Sequence, residues 1–120
     1  MHVVDPEVGF MGSSAIVAGT IPEAVGAGLA AKMNGRRQIA VAFFGDGATD
    51  EGVFYESLNM AALYQLPVLF VCENNLFSTH LPLFKRQKAG DLYRKMQGFG
   101  IVAERVDGND PLKRGPAGSE

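Results

Sequence analysis

Two polar residues stand where the chain leaves apolar runs. Asp46 lies between glycines in "FFGDGATDEG", just beyond Phe44, and Asn75 lies in "VCENN", just beyond Cys72. Both can offer an oxygen to a hard cation. Mg²⁺ demands octahedral oxygen coordination and draws only one or two ligands from side chains, the rest coming from backbone, water and phosphate. The glycines suit an anion-binding turn, in which the N–H groups of Gly47 and Ala48 face a phosphate with no side chain in the way. Asp46 alone would repel a diphosphate. With a cation held by Asp46 and Asn75, acid and anion become compatible.

Other readings compete. A calcium loop of the D-x-[DN]-x-[DN]-G type fails, because Ala48 takes its third position and Glu51 its glycine. A dinucleotide fingerprint is closer: Gly45-x-Gly47 follows an apolar run and Glu73 ends the next. There, however, Asp50 replaces the third glycine and Asp46 has no purpose. A plain tight turn, with Asn74-Asn75 as another, needs no ligand at all. Spacing favours the metal-diphosphate reading and leaves the dinucleotide and plain-turn readings open.

The elements that must position these residues are legible from periodicity. Residues 1–19 read as loop. "TIPE" reads as a helix start, with Thr20 as cap, Pro22 in the first turn and Glu23 completing a capping box. Ile21, Val25, Gly28 and Leu29 follow at helical spacing, and the glycines and alanines between them make a thin helix that a neighbour can approach. Asn34-Gly35 suits a left-handed cap. "QIAVAFF" and "VLFVC" are continuous apolar runs of strand length, the mark of buried parallel strands. Between them a helix is expected from about Gly52 to Gln65, with Thr49 or Asp50 as cap and Phe54, Leu58 and Ala61 on one face; Asn59 and Met60 read as packing. Strand, helix and strand fit one right-handed crossover. The expected fold class is α/β: a parallel sheet with flanking helices, and a partial domain. Ligands of such sheets collect beyond the carboxyl ends of the strands, where Asp46 and Asn75 both fall.

Downstream, "ENNLFSTHLPLFKRQ" reads as polar turns, Asp91 to Gln97 as a short helix, and Ile101 to Val106 as a third strand. The organisation expected is one domain over residues 1–110 and a disordered tail over 111–120, whose composition is polar and proline-containing.

Bulk properties exclude several function classes. The chain has 120 residues, 47% hydrophobic and 20% charged, with a formal net charge of −2. That is an ordinary globular balance with no bulk attraction to nucleic acid. The cluster of Lys85, Arg86 and Lys88 reads as a solvated face, with phosphate or partner binding as the sharper alternative. No apolar run approaches the roughly 20 residues that span a bilayer, and the start carries no signal-peptide pattern. The single Cys72 excludes an internal disulfide and reads as a small buried side chain in a reducing compartment.

The segment "GDGATDEG...NMAALYQLPVLFVCENN" closely resembles the α subunit of the thiamine diphosphate-dependent 2-oxo acid dehydrogenases, the E1 component, a family that includes the acetoin dehydrogenase α subunit. The likeness runs from Met1-His2 through "IVAGTIPEAVGAGLA" to "VDGND". It implies a thiamine diphosphate-binding fold with roles by position. Asp46, the Asn75 side chain and the Phe77 carbonyl would hold Mg²⁺. Gly47 and Ala48 would donate to the diphosphate. Ala15 and Val17 would line the aminopyrimidine side, with simple core packing as the alternative for Val17. Glu73 and Asn74 would orient the turn.

The implied reaction is oxidative decarboxylation of a small 2-oxo acid, the acyl unit passing to the lipoyl group of an E2 acyltransferase. The implied partner is an E1 β subunit in an α2β2 heterotetramer, which supplies the activating glutamate. The implied compartment is cytoplasmic, or the mitochondrial matrix in a eukaryote. The resemblance also has gaps. Family α subunits extend beyond both ends of this segment, and their H-x-H-S loop has no counterpart here. The catalytic residue is thus unassigned. His80 is the one candidate to face cofactor or substrate, against the plain reading of a solvated loop histidine. Two functional classes follow: an E1 α cofactor-binding segment, inactive without its β subunit, or a truncated module that keeps only cofactor- and partner-binding surface.

Overall fold

The apolar runs pair as their composition requires. In the computed structural model, which describes residues 2–88 and 90–110, β1 (Ala40–Gly45) and β2 (Val68–Glu73) form a parallel pair in continuous register from Ala40↔Val68 to Gly45↔Glu73. Two helices precede and connect them: α1 (Thr20–Met33) and α2 (Gly52–Leu63). Side chains alternate across a strand, and the helices cover only one face of the pair. Ala42 is buried on that face, and Val68 and Phe70 pack with Leu29 and Met60 around Val25, Ala61 and Leu66. Ile21, Val25 and Gly28 of α1 and Phe54, Leu58 and Ala61 of α2 are buried, as their spacing predicts. Met60 packs as expected; Asn59 is exposed.

Glycine has a visible purpose at two positions of α1 and its exit. A Cβ at Gly28 would lie 2.5 Å from Val68 Cγ2, so the thin helix does admit a neighbour. Gly35, at φ +63°, takes the left-handed conformation that ends the helix. The Arg36 N–H then donates to the Ala31 carbonyl at 2.9 Å and the Gly35 N–H to that of Lys32 at 3.1 Å, a Schellman closure.

Several expectations need correction. Thr20 does not cap α1; it is the first helical residue, preceded by Gly19, and no side chain caps the end. Neither Thr49 nor Asp50 caps α2. Both belong to a 3₁₀ turn over Asp46–Asp50, Glu51 precedes the helix, and their side chains are committed to other partners described below. Cys72 is exposed rather than buried, although it lies in an apolar run. The "polar turns" after β2 contain a two-residue hairpin, β3 (Phe77–Ser78) with β4 (Leu81–Pro82), and a helical turn, α3 (Leu83–Arg86). Residues 2–19 contain a 3₁₀ turn at Pro6–Val8 closed by an Asp5↔Phe10 bridge.

The chain divides into two compact units, Met1–Gly90 and Asp91–Glu120. Within the second, α4 (Leu92–Gln97) forms where a short helix was expected, and the Gln97 amide donates to the Ala103 carbonyl at 3.0 Å. Ile101 to Val106 is not a strand. A strand needs a partner backbone, and among the described residues none pairs with this segment; Val102 points into solvent. The expected disordered tail, 111–120, lies outside the described residues. Among those described, no helix is long and apolar enough to cross a membrane.

Candidate cofactor-binding site

The parallel register decides where the polar residues emerge. Gly45 and Glu73 are partners at the carboxyl ends of β1 and β2. Asp46 follows the first immediately and Asn75 follows the second by two, so both leave the sheet at one edge. This edge is where open parallel sheets bind ligands. Asp46 opens the 3₁₀ turn and is 1% exposed; Thr49 beside it is fully buried. The Thr49 hydroxyl donates to the Asp46 carbonyl at 2.7 Å, and the Tyr55 hydroxyl donates to the Thr49 carbonyl at 2.7 Å. Phe44 of β1 packs on Phe54 of α2 with ring centroids 5.3 Å apart, fastening the strand end to the helix that follows the turn.

The two oxygens of the Asp46 carboxylate differ. Oδ2 accepts from the guanidinium of Arg86. Oδ1 is buried with no hydrogen-bond partner among the described residues. An unpartnered buried acceptor is costly, and native structures carry few of them. Arg86 also donates to Asp50 Oδ2. The Gln87 amide donates to Thr49 Oγ1 at 2.7 Å and to Asp50 Oδ1 at 2.6 Å. Burial works against the charge of Arg86, but hydrogen bonds and charge from Asp50 and Asp46 outweigh it, so its pKa is raised and it stays a cation. The cluster Lys85, Arg86 and Lys88 is therefore no plain solvated face: the Arg86 side chain is 6% exposed and committed to two carboxylates.

On the other side of the edge, two asparagines shape the loop. Asn74 Oδ1 accepts from the Leu76 N–H at 3.0 Å and Asn75 Oδ1 from the Phe77 N–H at 2.9 Å. These turns hold Leu76 at φ +69°. An amide oxygen has two lone pairs, so Asn75 Oδ1 retains acceptor capacity. Pro82, opposite Phe77 in the hairpin, has no N–H to give the Phe77 carbonyl. Gly47 and Ala48 lie in the first turn of the 3₁₀ segment, where backbone N–H groups have no partner within the helix. A Cβ at Gly47 would lie 2.6 Å from Ser78 Oγ, so the hairpin closes over this glycine.

The remaining candidates are placed as follows. Ala15 and Val17 are exposed, Val17 at 60%, so Val17 is not core. His80 is exposed at the hairpin turn. His2 Nδ1 lies 3.2 Å from the Ser13 carbonyl. Cys72 is exposed, yet desolvation by neighbouring protein, followed by the negative charges of Asp46 and Glu73, pushes its thiol up to about 11.

These residues fit a magnesium-diphosphate group. The donor set is carboxylate, amide and carbonyl oxygen, as a hard cation requires, and the buried Oδ1 of Asp46 lacks the partner that a cation would supply. Among the described residues, no three His, Cys, Asp or Glu converge as a metal site. A cation here depends on amide, backbone and phosphate oxygens to complete its shell. Sequence reasoning missed Arg86, Gln87, Asp50 and Ser78. The signal for Arg86 was the basic cluster itself; what it lacked was a partner, because Asp46 is remote in sequence.

A family profile described as "Dehydrogenase E1 component" matches residues 1–115. The α subunit of acetoin:2,6-dichlorophenolindophenol oxidoreductase from Cupriavidus necator is 40% identical over 110 residues, covering 92% of this chain and 33% of that protein. The pyruvate dehydrogenase E1 component α subunit of Rickettsia felis is also 40% identical over 110 residues, covering 92% and 34%. The mitochondrial 2-oxoisovalerate dehydrogenase subunit α 2 of Arabidopsis thaliana is 38% identical over 112 residues, covering 93% and 24%. The chain thus spans about a third or less of the length of these relatives. Among solved structures, an enzyme from Mycobacterium smegmatis assigned as thiamin diphosphate-dependent superposes with a TM-score of 0.60 at 26% identity, over 77% of this chain and 17% of its own. Profile, relatives and fold agree, and the chain belongs to the dehydrogenase E1 component family.

Proposed function

We propose that the chain is the Mg²⁺–thiamine diphosphate-binding part of an E1 α subunit, with residues 1–110 as its cofactor-binding domain. One observation supports this above the others: parallel strands bring Asp46 and Asn75 to one sheet edge, and a buried Asp46 oxygen there lacks a partner among the described residues. Asp46, Asn75 and the Phe77 carbonyl would hold the cation, and the Gly47 and Ala48 amides the diphosphate. Ala15 and Val17 would lie along the aminopyrimidine. The bound cofactor supplies an electron sink for decarboxylation of a 2-oxo acid. This chain's residues would bind and orient it; His80 is a candidate to face cofactor or substrate. A β subunit, in an α2β2 assembly, would complete the site, and a lipoyl-bearing E2 would take the acyl group. The compartment would be the cytoplasm, or the matrix in a mitochondrial form. The chain alone would not turn over substrate. The acetoin-oxidoreductase relative supports a second reading, an acetoin dehydrogenase α subunit, built on the same cofactor site.

Calorimetric titration with thiamine diphosphate and Mg²⁺ tests the core of this reading. Asp46→Ala should weaken Mg²⁺-dependent binding by about 100-fold or more, since even outer partners of a metal site carry 10–100-fold. Unchanged affinity removes the metal role, and NADH binding in its place restores the dinucleotide reading.

A further inference from the structure

Arg86 is held from two directions. Its Nε donates to the Leu81 carbonyl at 3.2 Å, within the β4–α3 segment. Its other nitrogens reach Asp46 Oδ2 and Asp50 Oδ2 on the 3₁₀ turn. The segment that carries Arg86 is thereby fastened over the turn that the cofactor reading assigns to metal and diphosphate.

The two carboxylates are not equivalent. Asp46 is buried, and a buried carboxylate without a counter-charge is strongly destabilising. Asp50 has a side chain 31% exposed and a second donor in Gln87. A cation arriving at Oδ1 of Asp46 meets the guanidinium charge on the same carboxylate, and like charges at that range oppose each other. Asp46 needs only one of them. Asp50 offers Arg86 a carboxylate already within reach, so leaving Asp46 strands no charge.

We propose that Arg86 is a resident counter-cation of the cofactor site, which holds Asp46 until a divalent cation takes that carboxylate, and then keeps only its anchor on Asp50. This rests on the reading of Asp46 as a metal ligand. Arg86 then has the opposite effect from a supporting residue. A residue that merely orients Asp46 strengthens metal binding; a competitor weakens it.

Mn²⁺ with excess thiamine diphosphate present is the probe, followed by electron paramagnetic resonance with the 120-residue chain and its variants. Arg86→Met should bind Mn²⁺ about tenfold tighter or more than wild type, within the usual range of coupling between two ligands. Arg86→Lys, which keeps the charge, should stay close to wild type. Weaker or unchanged binding by Arg86→Met overturns the proposal. Asp46→Asn separates the two layers. If its Mn²⁺ affinity equals wild type, the metal reading falls and the proposal with it. If Asp46→Asn loses binding while Arg86→Met gains none, only the proposal falls. Should Arg86→Met fail to fold, wild type suffices. The slowly exchanging guanidinium N–H resonances of Arg86, assigned through Arg86→Lys, should shift and broaden as Mg²⁺ saturates the site. Their persistence unchanged at saturation overturns the proposal.

Discussion

The thiol of Cys72 registers the charge at the strand ends. Desolvation, then Asp46 and Glu73, raise its pKa from the ordinary 9.0 to about 11. The folded chain therefore keeps this proton across that window, while an unfolded thiol releases it. Its contribution to stability is complete below pH 9.0 and is lost as pH rises through about 11. Alkylation of the native chain near pH 8 should be much slower than in denaturant, because the thiolate is the nucleophile, and its rate should rise with a midpoint near 11. A midpoint near 9 would contradict the charge environment assigned to this edge. At this scale Asp46 and Asn75 were legible, since their types and their places after apolar runs are local features. Arg86 was not. Its partner Asp46 lies 40 residues away, and no local pattern joins a basic cluster to one particular carboxylate.

Among the elements, α1 and β2 are fitted at Gly28. Alanine there would place Cβ 2.5 Å from Val68 Cγ2, on a short β-branched side chain that cannot swing aside. Helix propensity favours alanine by about 1 kcal/mol, but overpacking costs typically ~1–3 kcal/mol. Gly28→Ala should lower stability in chemical denaturation, and Val68→Ala in the same chain should recover part of the loss. Simple additivity of the two would show that no close approach exists. Both helices and both strands were readable because they carry strong periodicity or long apolar runs. Their caps were not, since Thr20, Thr49 and Asp50 are suitable cap residues whose side chains found other uses or none. The β3–β4 hairpin escaped notice because each strand has two residues, too few for a pattern. The expected strand at Ile101 failed for the converse reason: weak alternation is cheap, and only a partner makes it a strand.

At the scale of the molecule, α1 and α2 cover one face of the β1–β2 pair and, among the described residues, the other face carries exposed apolar side chains. Val41, Phe43 and Leu69 share the face opposite α1 and α2, Phe43 being 66% exposed. Parallel strands of this composition are usually covered on both faces, and a contiguous apolar patch favours association. The 120-residue chain should self-associate in sedimentation and bind an apolar dye. Phe43→Thr, which keeps strand propensity, should reduce both without altering far-UV circular dichroism; an unchanged association constant would place the contact elsewhere. Apolarity on both sides of β1 and β2 was visible in the sequence, whereas which side the helices would cover was not. That depends on where the crossover helix packs, a property of the assembled unit.

Residue type, spacing and periodicity by themselves determined the α/β class, the parallel strand-helix-strand unit, and the placing of Asp46 and Asn75 beyond two strand ends. The elements follow from the removal of apolar side chains from water along a local stretch of chain, and the two polar residues from their places just beyond the apolar runs. The tertiary structure alone decided which charge compensates Asp46, which of its oxygens stays unpartnered, and which sheet face lies open. Those outcomes depend on the burial of groups far apart in sequence, where the cost of an unpaired charge selects partners that no local pattern specifies.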